Sequence, residues 1–251
     1  MKVESTKLAE GKKVYFASDF HLGVPDYSTS LKREQKIVRW LDSIKPHAHM
    51  LVLVGDLFDF WFEYKHVVPK GYIRFLSKLT DLSESGVQIF VFTGNHDLWF
   101  QNYLPNEIGV EILKGPTSFS ISEKNFFVAH GDGLGKGQSK FKFVKWFFTN
   151  PFCQWMFRWL HPDIGIGLAN FWSLTSKNRG DDPEVFHEKL MEYSNSIQHQ
   201  HQHDFYIYGD CHDATVRKLD DSKYVNLGEW MKKCTYAEFD GEDLSLKAFE
   251  G

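Results

Sequence analysis

The chain has 251 residues, of which 42% are hydrophobic and 25% charged, as is ordinary for a globular protein with one large domain or a core with an insertion. A formal net charge of −4 gives no reason to expect nucleic acid as a partner. The three cysteines are odd in number and show no Cys-x-x-Cys spacing, which argues against a disulfide framework or a thiolate zinc site.

The N-terminal residues 1–13 are polar and contain no apolar signal-like stretch. No later segment approaches the roughly 20 consecutive apolar residues that are needed to span a bilayer. We therefore expect a protein that is made and kept in the cytoplasm.

Short apolar runs alternate with helical patterns in the first two thirds of the chain. The pattern predicts strands at Val14–Ala17, Met50–Val54 and Val87–Phe92, and helices near Thr29–Ile44 and Lys70–Ser85. This alternation is typical of βαβ units on a buried sheet, so the sequence predicts an α/β fold.

The pattern changes after Gly115. Ser118–Ser122 and Phe126–Ala129 flank a polar turn and predict a hairpin. The chain from Ser139 to about Gln200 is helical in character and interrupted by prolines, which predicts an inserted helical cap over residues 131–203 of a single domain 1–251. Further strands are predicted at Phe205–Tyr208, Thr215–Leu219, Tyr224–Asn226, Thr235–Phe239 and Leu244–Ala248.

Polar clusters directly follow five of the predicted strands. In open α/β sheets the carboxyl ends of the strands converge and their loops present side chains, so these clusters are expected to meet. A lone aspartate after a strand is more often a turn or cap residue than a ligand, but five clusters in order are not explained in that way. The clusters are Asp19-x-His21, Gly55-Asp56-x-x-Asp59, Gly94-Asn95-His96-Asp97, Ala129-His130-Gly131-Asp132 and Gly209-Asp210-Cys211-His212.

The side chains in these clusters are carboxylates, imidazoles and one amide. Such a mixed nitrogen and oxygen set suits Mn²⁺, Fe or Zn²⁺ and needs no soft sulfur ligand. A carboxylate can also bridge two cations about 3.5–4 Å apart, which is the arrangement that clamps an in-line displacement at phosphorus.

This series of motifs resembles the signature of the calcineurin-like metallophosphoesterases over about residues 13 to 230. The resemblance implies a sandwich of mixed β-sheets flanked by helices, with the inserted helical cap. It also implies two divalent metal ions, most simply Mn²⁺, that activate water for attack on phosphorus.

By that resemblance, Asp19, His21 and His212 hold the first metal, and Asn95 and His130 hold the second. Asp56 bridges the two ions. Asp59 orients ligands from behind. His96 acts on the phosphate as an acid or charge stabiliser, and Asp97 fixes the orientation of its ring.

The series departs from the family at Asp210, because the last family motif is normally Gly-His-x-His and its first histidine is a ligand of the second metal. Aspartate is shorter and anionic, so it either reaches the ion through water or backbone movement, or binds directly as a hard oxygen ligand. The sequence leaves three explanations open: a weaker second site, a natural replacement of the ligand, or an introduced inactivating change.

The segment 131–180 carries seven basic side chains against two acidic ones, together with eleven aromatic residues. Basic residues interleaved with Trp and Phe are typical of a helix that lies on an anionic membrane, or of the wall of an acyl-chain pocket. Packing of these aromatics onto the core is the structural alternative. A single-strand nucleic-acid groove is disfavoured by the acidic remainder of the chain. The aromatic residues are Phe141, Phe143, Trp146, Phe147, Phe148, Phe152, Trp155, Phe157, Trp159, Phe171 and Trp172.

Within the family, the length, the insertion and the pair Ser176-Lys177 resemble the UDP-2,3-diacylglucosamine pyrophosphatases of lipid A biosynthesis, which are peripheral enzymes on the inner face of the cytoplasmic membrane. The resemblance implies a lipid-linked nucleotide sugar as substrate. Ser176, Lys177 and Arg179 are then candidates to contact its sugar or phosphates. Two alternatives stay open: an enzyme of the same fold with a soluble phosphate ester or nucleotide as substrate, and a metal-impaired lipid-binding protein.

Overall fold

A computed structural model describes residues 2–135, 145–168, 182–198 and 201–251. Its strands are β1 Lys2–Thr6, β2 Lys13–Ala17, β3 Ala48–Leu53, β4 Gln88–Phe92, β5 Glu111–Leu113, β6 Thr117–Ile121, β7 Lys124–Ala129, β8 Phe205–Tyr208, β9 Thr215–Leu219, β10 Ser222–Asn226, β11 Thr235–Phe239 and β12 Leu244–Ala248. Its principal helices are α1 Tyr27–Ile44, α2 Ile73–Glu84, α3 Tyr103–Ile108, α4 Pro151–Phe157 and α5 Pro183–Gln198. Short helical segments at 145–149 and 162–168 flank α4.

The strands form two mixed sheets. The first has the order β12-β11-β2-β3-β4-β5, and the second has the order β1-β6-β7-β8-β10-β9. Strands β2, β3 and β4 are parallel to one another, and β7 is parallel to β8. The carboxyl ends of neighbouring parallel strands therefore emerge on one edge of each sheet.

Successive side chains of each strand point to opposite faces, and those on the inner faces form the core between the two sheets. In β2, Val14 and Phe16 point toward the second sheet, whereas Tyr15 and Ala17 point to the opposite face. Phe126 of β7 is fully buried and stacks between Phe16 and Phe205, with ring centroids 5.7 and 4.8 Å away. Because successive side chains of a strand face opposite ways, each sheet keeps a second apolar face that needs its own cover.

Helices cover these outer faces. The buried side of α1 is formed by Ile37, Trp40, Leu41 and Ile44, whose spacing of three and four residues places them on one helical face. This face and α2 lie on the first sheet, while Leu190 of α5 packs on the second. The resulting order of layers is helix, sheet, sheet, helix.

The predicted α/β sandwich of mixed sheets flanked by helices is confirmed. The predicted hairpin is formed by β6 and β7, which pair in antiparallel register. The sequence patterns missed β1, α3 and β5, which are short elements at or near the sheet edges. None of the helices in the described ranges is both long and apolar enough to cross a membrane.

Aromatic packing holds the described start of the insertion against the core. The Phe157 ring of α4 packs on Phe62 and Trp99, with centroids 4.7 and 5.0 Å apart. The Trp99 indole Nε1 donates a hydrogen bond of 2.6 Å to the carbonyl of Phe148. Trp99 lies in the loop that follows β4, so the insertion is attached close to one of the predicted site motifs.

Candidate metal centre

Five loops bring their polar side chains together at the carboxyl ends of β2, β3, β4, β7 and β8. Two glycines permit this convergence because the loops touch where those glycines lie. A Cβ atom on Gly94 would lie 2.1 Å from Asp56 Oδ1, and one on Gly209 would lie 2.7 Å from Asp19 Oδ2. Both distances are far below van der Waals contact, so these positions require glycine.

One group of donors consists of Asp19, His21 and His212. The Nε2 atoms of His21 and His212 are 3.0 Å apart. Asp19 Oδ1 lies 3.8 Å from the first of these nitrogens and 3.1 Å from the second. The three side chains therefore direct their ligand atoms at a common point.

A second group gathers around His130. Its Nδ1 donates to the carbonyl of Val54 at 2.7 Å, which leaves the Nε2 lone pair facing the site. This Nε2 lies 3.1 Å from Asn95 Oδ1 and 3.7 Å from Asp210 Oδ1. It also lies 3.5 Å from Asp56 Oδ2.

Asp56 stands between the two groups. The same carboxylate oxygen, Oδ2, is 3.6 Å from His21 Nε2 and 3.5 Å from His130 Nε2. Its other oxygen, Oδ1, accepts a hydrogen bond of 2.9 Å from the backbone N–H of His96. One oxygen is thus fixed by the chain while the other faces both donor groups.

Asp59 contacts two imidazoles from behind. Its Oδ1 lies 3.3 Å from His21 Nδ1, so the Nε2 atom of His21 is turned toward the site. His96 Nδ1 lies 3.0 Å from the backbone carbonyl of Asp59 and 3.7 Å from its carboxylate. The His96 ring is partly exposed, and its edge meets the His21 ring at an interplanar angle of 86°.

Asp97 lies elsewhere than the sequence suggested. Its buried carboxylate accepts from the backbone N–H groups of Gly94 and Leu57 at 2.8 and 2.7 Å, and from those of Asp56 and Phe58 at 3.3 Å. The contacts described for Asp97 therefore bind two loops together, and the residue against the His96 ring is Asp59. The prediction that Asp97 orients His96 is corrected accordingly, because sequence neighbours on a tight turn point to different sides.

Left-handed backbone conformations are concentrated at this site. Positive φ angles are found at Asp19 (56°), His21 (44°), Asp56 (54°), Asp210 (64°) and His212 (58°). Residues other than glycine adopt this region at an energetic cost and persist there where the surrounding structure enforces it, most often at functional sites. The strain is a signal that the sequence alone did not reveal.

Two supporting residues were also missed by sequence reasoning. Buried Arg33 of α1 donates to the carbonyls of Phe20 and His21 at 3.1 and 2.5 Å. These hydrogen bonds fix the backbone of the first motif. Buried Asn226 donates to the carbonyl of Gly209 at 2.7 Å and holds the last motif. Neither residue belongs to a motif, so no local signal could have identified them.

Charge crowding shifts the pKa values of the site. Burial alone would raise the pKa of Asp56, but the neighbouring imidazoles, His130 foremost, hold it well below its usual range. Burial opposes protonation of His130, yet the Asp56 carboxylate raises its pKa well above the ordinary value. Burial, together with nearby carboxylates such as Asp132, raises the pKa of Asp210 to about 7. The raised pKa values favour the protonated forms of His130 and Asp210. Binding of a cation at these side chains would displace those protons.

The donor set fits divalent cations. Asp19 Oδ1 is fully buried and accepts no hydrogen bond of good geometry among the described residues. A buried carboxylate oxygen without a partner is costly, and a cation would satisfy it. The His and Asp groups, with an amide oxygen beside them, are the ligands that divalent transition metals prefer.

A family model of calcineurin-like phosphoesterases matches residues 12–214, the span that contains all five motifs. The chain belongs to that family. Its membership of this family makes it a metal-dependent hydrolase.

Two curated relatives are similar over almost the whole chain. A UDP-2,3-diacylglucosamine hydrolase of Porphyromonas gingivalis is 34% identical and covers 95% of this chain and 98% of its own length. A UDP-2,3-diacylglucosamine hydrolase of Actinobacillus succinogenes is 22% identical and covers 94% of this chain and 99% of its own length.

Phe141, Phe143, Phe171 and Trp172 lie outside the described residues, and the other aromatic residues of the insertion divide into two sets. Phe148 and Phe157 pack against Trp99 of the core. Trp146, Phe147, Phe152, Trp155 and Trp159 are exposed, with exposed fractions between 49% and 76%. The predicted substrate contacts Ser176, Lys177 and Arg179 lie outside the described residues.

We expect Gly94→Ala to lower the bound metal content, because its methyl group would displace the Asp56 carboxylate that faces both donor groups. Overpacking of this kind also costs about 1–3 kcal/mol of folding stability. Metal content is measured by elemental analysis after dialysis against Mn²⁺. Gly115→Ala is the matched control, since a Cβ at Gly115 meets nothing within 4 Å. An unchanged metal content in Gly94→Ala would refute the assigned position of Asp56.

Proposed function

We propose that the protein hydrolyses the pyrophosphate bond of UDP-2,3-diacylglucosamine and releases UMP and 2,3-diacylglucosamine 1-phosphate. The observation that carries the proposal is the position of Asp56 Oδ2 between two donor groups, 3.6 and 3.5 Å from their imidazoles. Two centres that share one carboxylate suit in-line displacement at a phosphoanhydride. The choice of substrate is supported by the relatives that carry this activity in their names.

In this proposal Asp19, His21 and His212 would hold one ion, Asn95 and His130 would hold the other, and Asp56 would contribute to both. Mn²⁺ is the proposed metal, because it accepts carboxylate, amide and imidazole ligands together. When bound, the two ions lower the pKa of water and offset the charge that develops on the phosphate. Asp59 fixes the ring of His21 through Nδ1 at 3.3 Å, so that Nε2 stays available.

His96 is the proposed acid or charge stabiliser. A carbonyl can only accept, so the contact of Nδ1 with the Asp59 carbonyl places a proton on Nδ1 and turns Nε2 toward the open side of the site. From there the imidazole can donate to the departing phosphate when it is doubly protonated. Buried Asp97 supports this arrangement indirectly, because it binds the loop of His96 to the loop of Asp56.

The insertion is the proposed binding element for the acyl chains and for an anionic membrane surface. Trp146, Phe147 and Trp155 expose about half of their surfaces, which is unusual for rings that only pack a core. Arg158, three residues after Trp155, is also exposed and adds positive charge to the insertion. We propose that the protein lies in the cytoplasm, peripheral on the inner face of the membrane. Further proposed contacts to the sugar or phosphates of the substrate are Ser176, Lys177 and Arg179.

The direct test is turnover of UDP-2,3-diacylglucosamine by the purified protein with Mn²⁺, with UMP and the lipid monophosphate separated by chromatography. We expect both products in equal amounts, and no turnover with Asp56→Ala, which should also lose both ions because the shared carboxylate is gone. Hydrolysis of soluble nucleotides or phosphate esters without turnover of the lipid would instead establish a soluble substrate. Two bound ions without hydrolysis of any of these would contradict the enzymatic proposal.

For His96→Ala we expect kcat to fall by about 10²–10⁴-fold, the usual contribution of a general acid, while the metal content stays that of the parent. The two quantities are measured by steady-state kinetics and elemental analysis. His47→Ala is the control, because His47 is exposed near the amino end of β3, away from the site. Loss of metal from His96→Ala would make His96 a ligand instead.

Trp146→Ser together with Trp155→Ser should lower kcat/KM for the diacylated substrate by about tenfold or more, since each ring can contribute roughly 1.5–3 kcal/mol of apolar burial. Turnover of a small artificial phosphodiester should change little. Val216→Ser is the control, because this side chain is 45% exposed on the edge strand β9. Equal losses on both substrates would show that the rings serve only to hold the fold.

A further inference from the structure

Three side-chain oxygens lie around His130 Nε2, and one of them belongs to Asp210. From His130 Nε2, the distances are 3.1 Å to Asn95 Oδ1, 3.5 Å to Asp56 Oδ2 and 3.7 Å to Asp210 Oδ1. Two atoms that each lie about 2.1 Å from one cation are roughly 3.0 Å apart at a right angle and roughly 4.2 Å apart when opposite. All three oxygens fall within that window.

The backbone directs the Asp210 side chain toward this shell. Asp210 has a φ of 64°, and its N–H donates to Asp19 Oδ2 at 3.1 Å. The preceding Gly209 carbonyl is held by Asn226 at 2.7 Å. Opposite, a Cβ on Gly131 would lie only 3.3 Å from Asp210 Cβ, so the glycine leaves room for Asp210 at this edge of the site. With a side-chain exposure of 20%, Asp210 forms the outer rim of the site, whereas Asp56 is almost fully buried.

The neighbouring carboxylates are engaged with lysines. Asp132 pairs with Lys145 at 2.5 Å, and Asp213 pairs with Lys233 at 3.0 Å. Among the residues that the structure describes, no lysine or arginine forms an ion pair with Asp210. Its charge therefore faces the donor shell, where a cation can neutralise it.

We propose that Asp210 is a direct oxygen ligand of the second cation and determines which metal this position selects. The inference rests on the two-ion centre of the proposed function. With Asp210, the second position offers three oxygens, from Asp56, Asn95 and Asp210, and one imidazole nitrogen. The first position offers two imidazoles and two oxygens, one from Asp19 and one from the shared Asp56. A shell dominated by oxygen favours harder ions such as Mn²⁺ or Mg²⁺, whereas added imidazole favours Zn²⁺. The two positions are thus chemically unequal, and Asp210 is the residue that makes them so.

The test compares the parent with Asp210→Ala, Asp210→His and the loop control Asp213→Ala. Titration calorimetry and elemental analysis with Mn²⁺ alone and with Zn²⁺ alone give the number of ions and the affinity of each position. We expect two Mn²⁺ ions in the parent. In Asp210→Ala the affinity for the second Mn²⁺ should fall by about tenfold or more, since even partners outside the ligand shell contribute about 10–100-fold.

Asp210→His should shift the preference at the second position from Mn²⁺ toward Zn²⁺ by about tenfold or more, because it adds an imidazole. Asp213→Ala should bind like the parent. Thermal unfolding of each metal-free variant reports whether it is folded, and the histidine variant remains decisive if the alanine variant is not.

Parent-like affinity for the second Mn²⁺ in Asp210→Ala, or an unchanged metal preference in Asp210→His, would overturn the inference. These measurements record ions and not turnover. A parent that binds two Mn²⁺ through Asp210 and does not hydrolyse the lipid substrate would therefore refute the proposed function and leave the ligand assignment standing.

Discussion

The face-to-face packing of the two sheets determines where every donor of the metal centre lies. Asp19, Asp56 and Asn95 follow strands of the first sheet, while His130 and His212 follow strands of the second. The two sheets pack through a core in which Phe126 stacks on Phe16, and at their edges His130 Nε2 lies 3.5 Å from Asp56 Oδ2. The centre is therefore a property of the sandwich, because neither sheet alone carries a complete set of ligands.

This arrangement buries like charges at one edge. Three carboxylates are almost completely excluded from solvent, those of Asp19, Asp56 and Asp59. Each of them lies within a few ångströms of a histidine ring. Left-handed backbone at five of the site residues adds conformational cost. Both costs oppose folding, and cation binding to the folded state offsets them through mass action. Stability and metal occupancy are thus coupled in this protein.

Much of the fold followed from the sequence because the strands are buried and bounded by polar turns. Apolar runs such as Met50–Val54 nearly coincide with the observed strands, and the polar clusters converge where the strands end. The sequence patterns did not predict the short elements α3 and β5. Segments of six and three residues are too short to show a clear hydrophobic periodicity.

The partners of the site were harder to predict than its members. Asp97 follows His96 in the sequence, yet its carboxylate accepts from backbone N–H groups, and the residue against the His96 ring is Asp59, 37 positions earlier. Arg33 and Asn226 support two motifs from a helix and a strand that carry none. Such contacts depend on tertiary geometry, which one-dimensional patterns do not encode. Position 210 differs again: its departure from the family motif was visible in the sequence, but only the distances around His130 showed what an aspartate there can reach.

Trp99 connects the insertion to the loop that carries His96. Its ring packs on Phe157 and its indole holds the carbonyl of Phe148, both in the insertion, while only Asp97 and Leu98 separate it in the chain from His96. The insertion therefore contacts the core three residues away from His96 in the chain. For inhibitor design, a compound that separated Phe157 from Trp99 would act on the loop that carries His96 from outside the candidate metal centre.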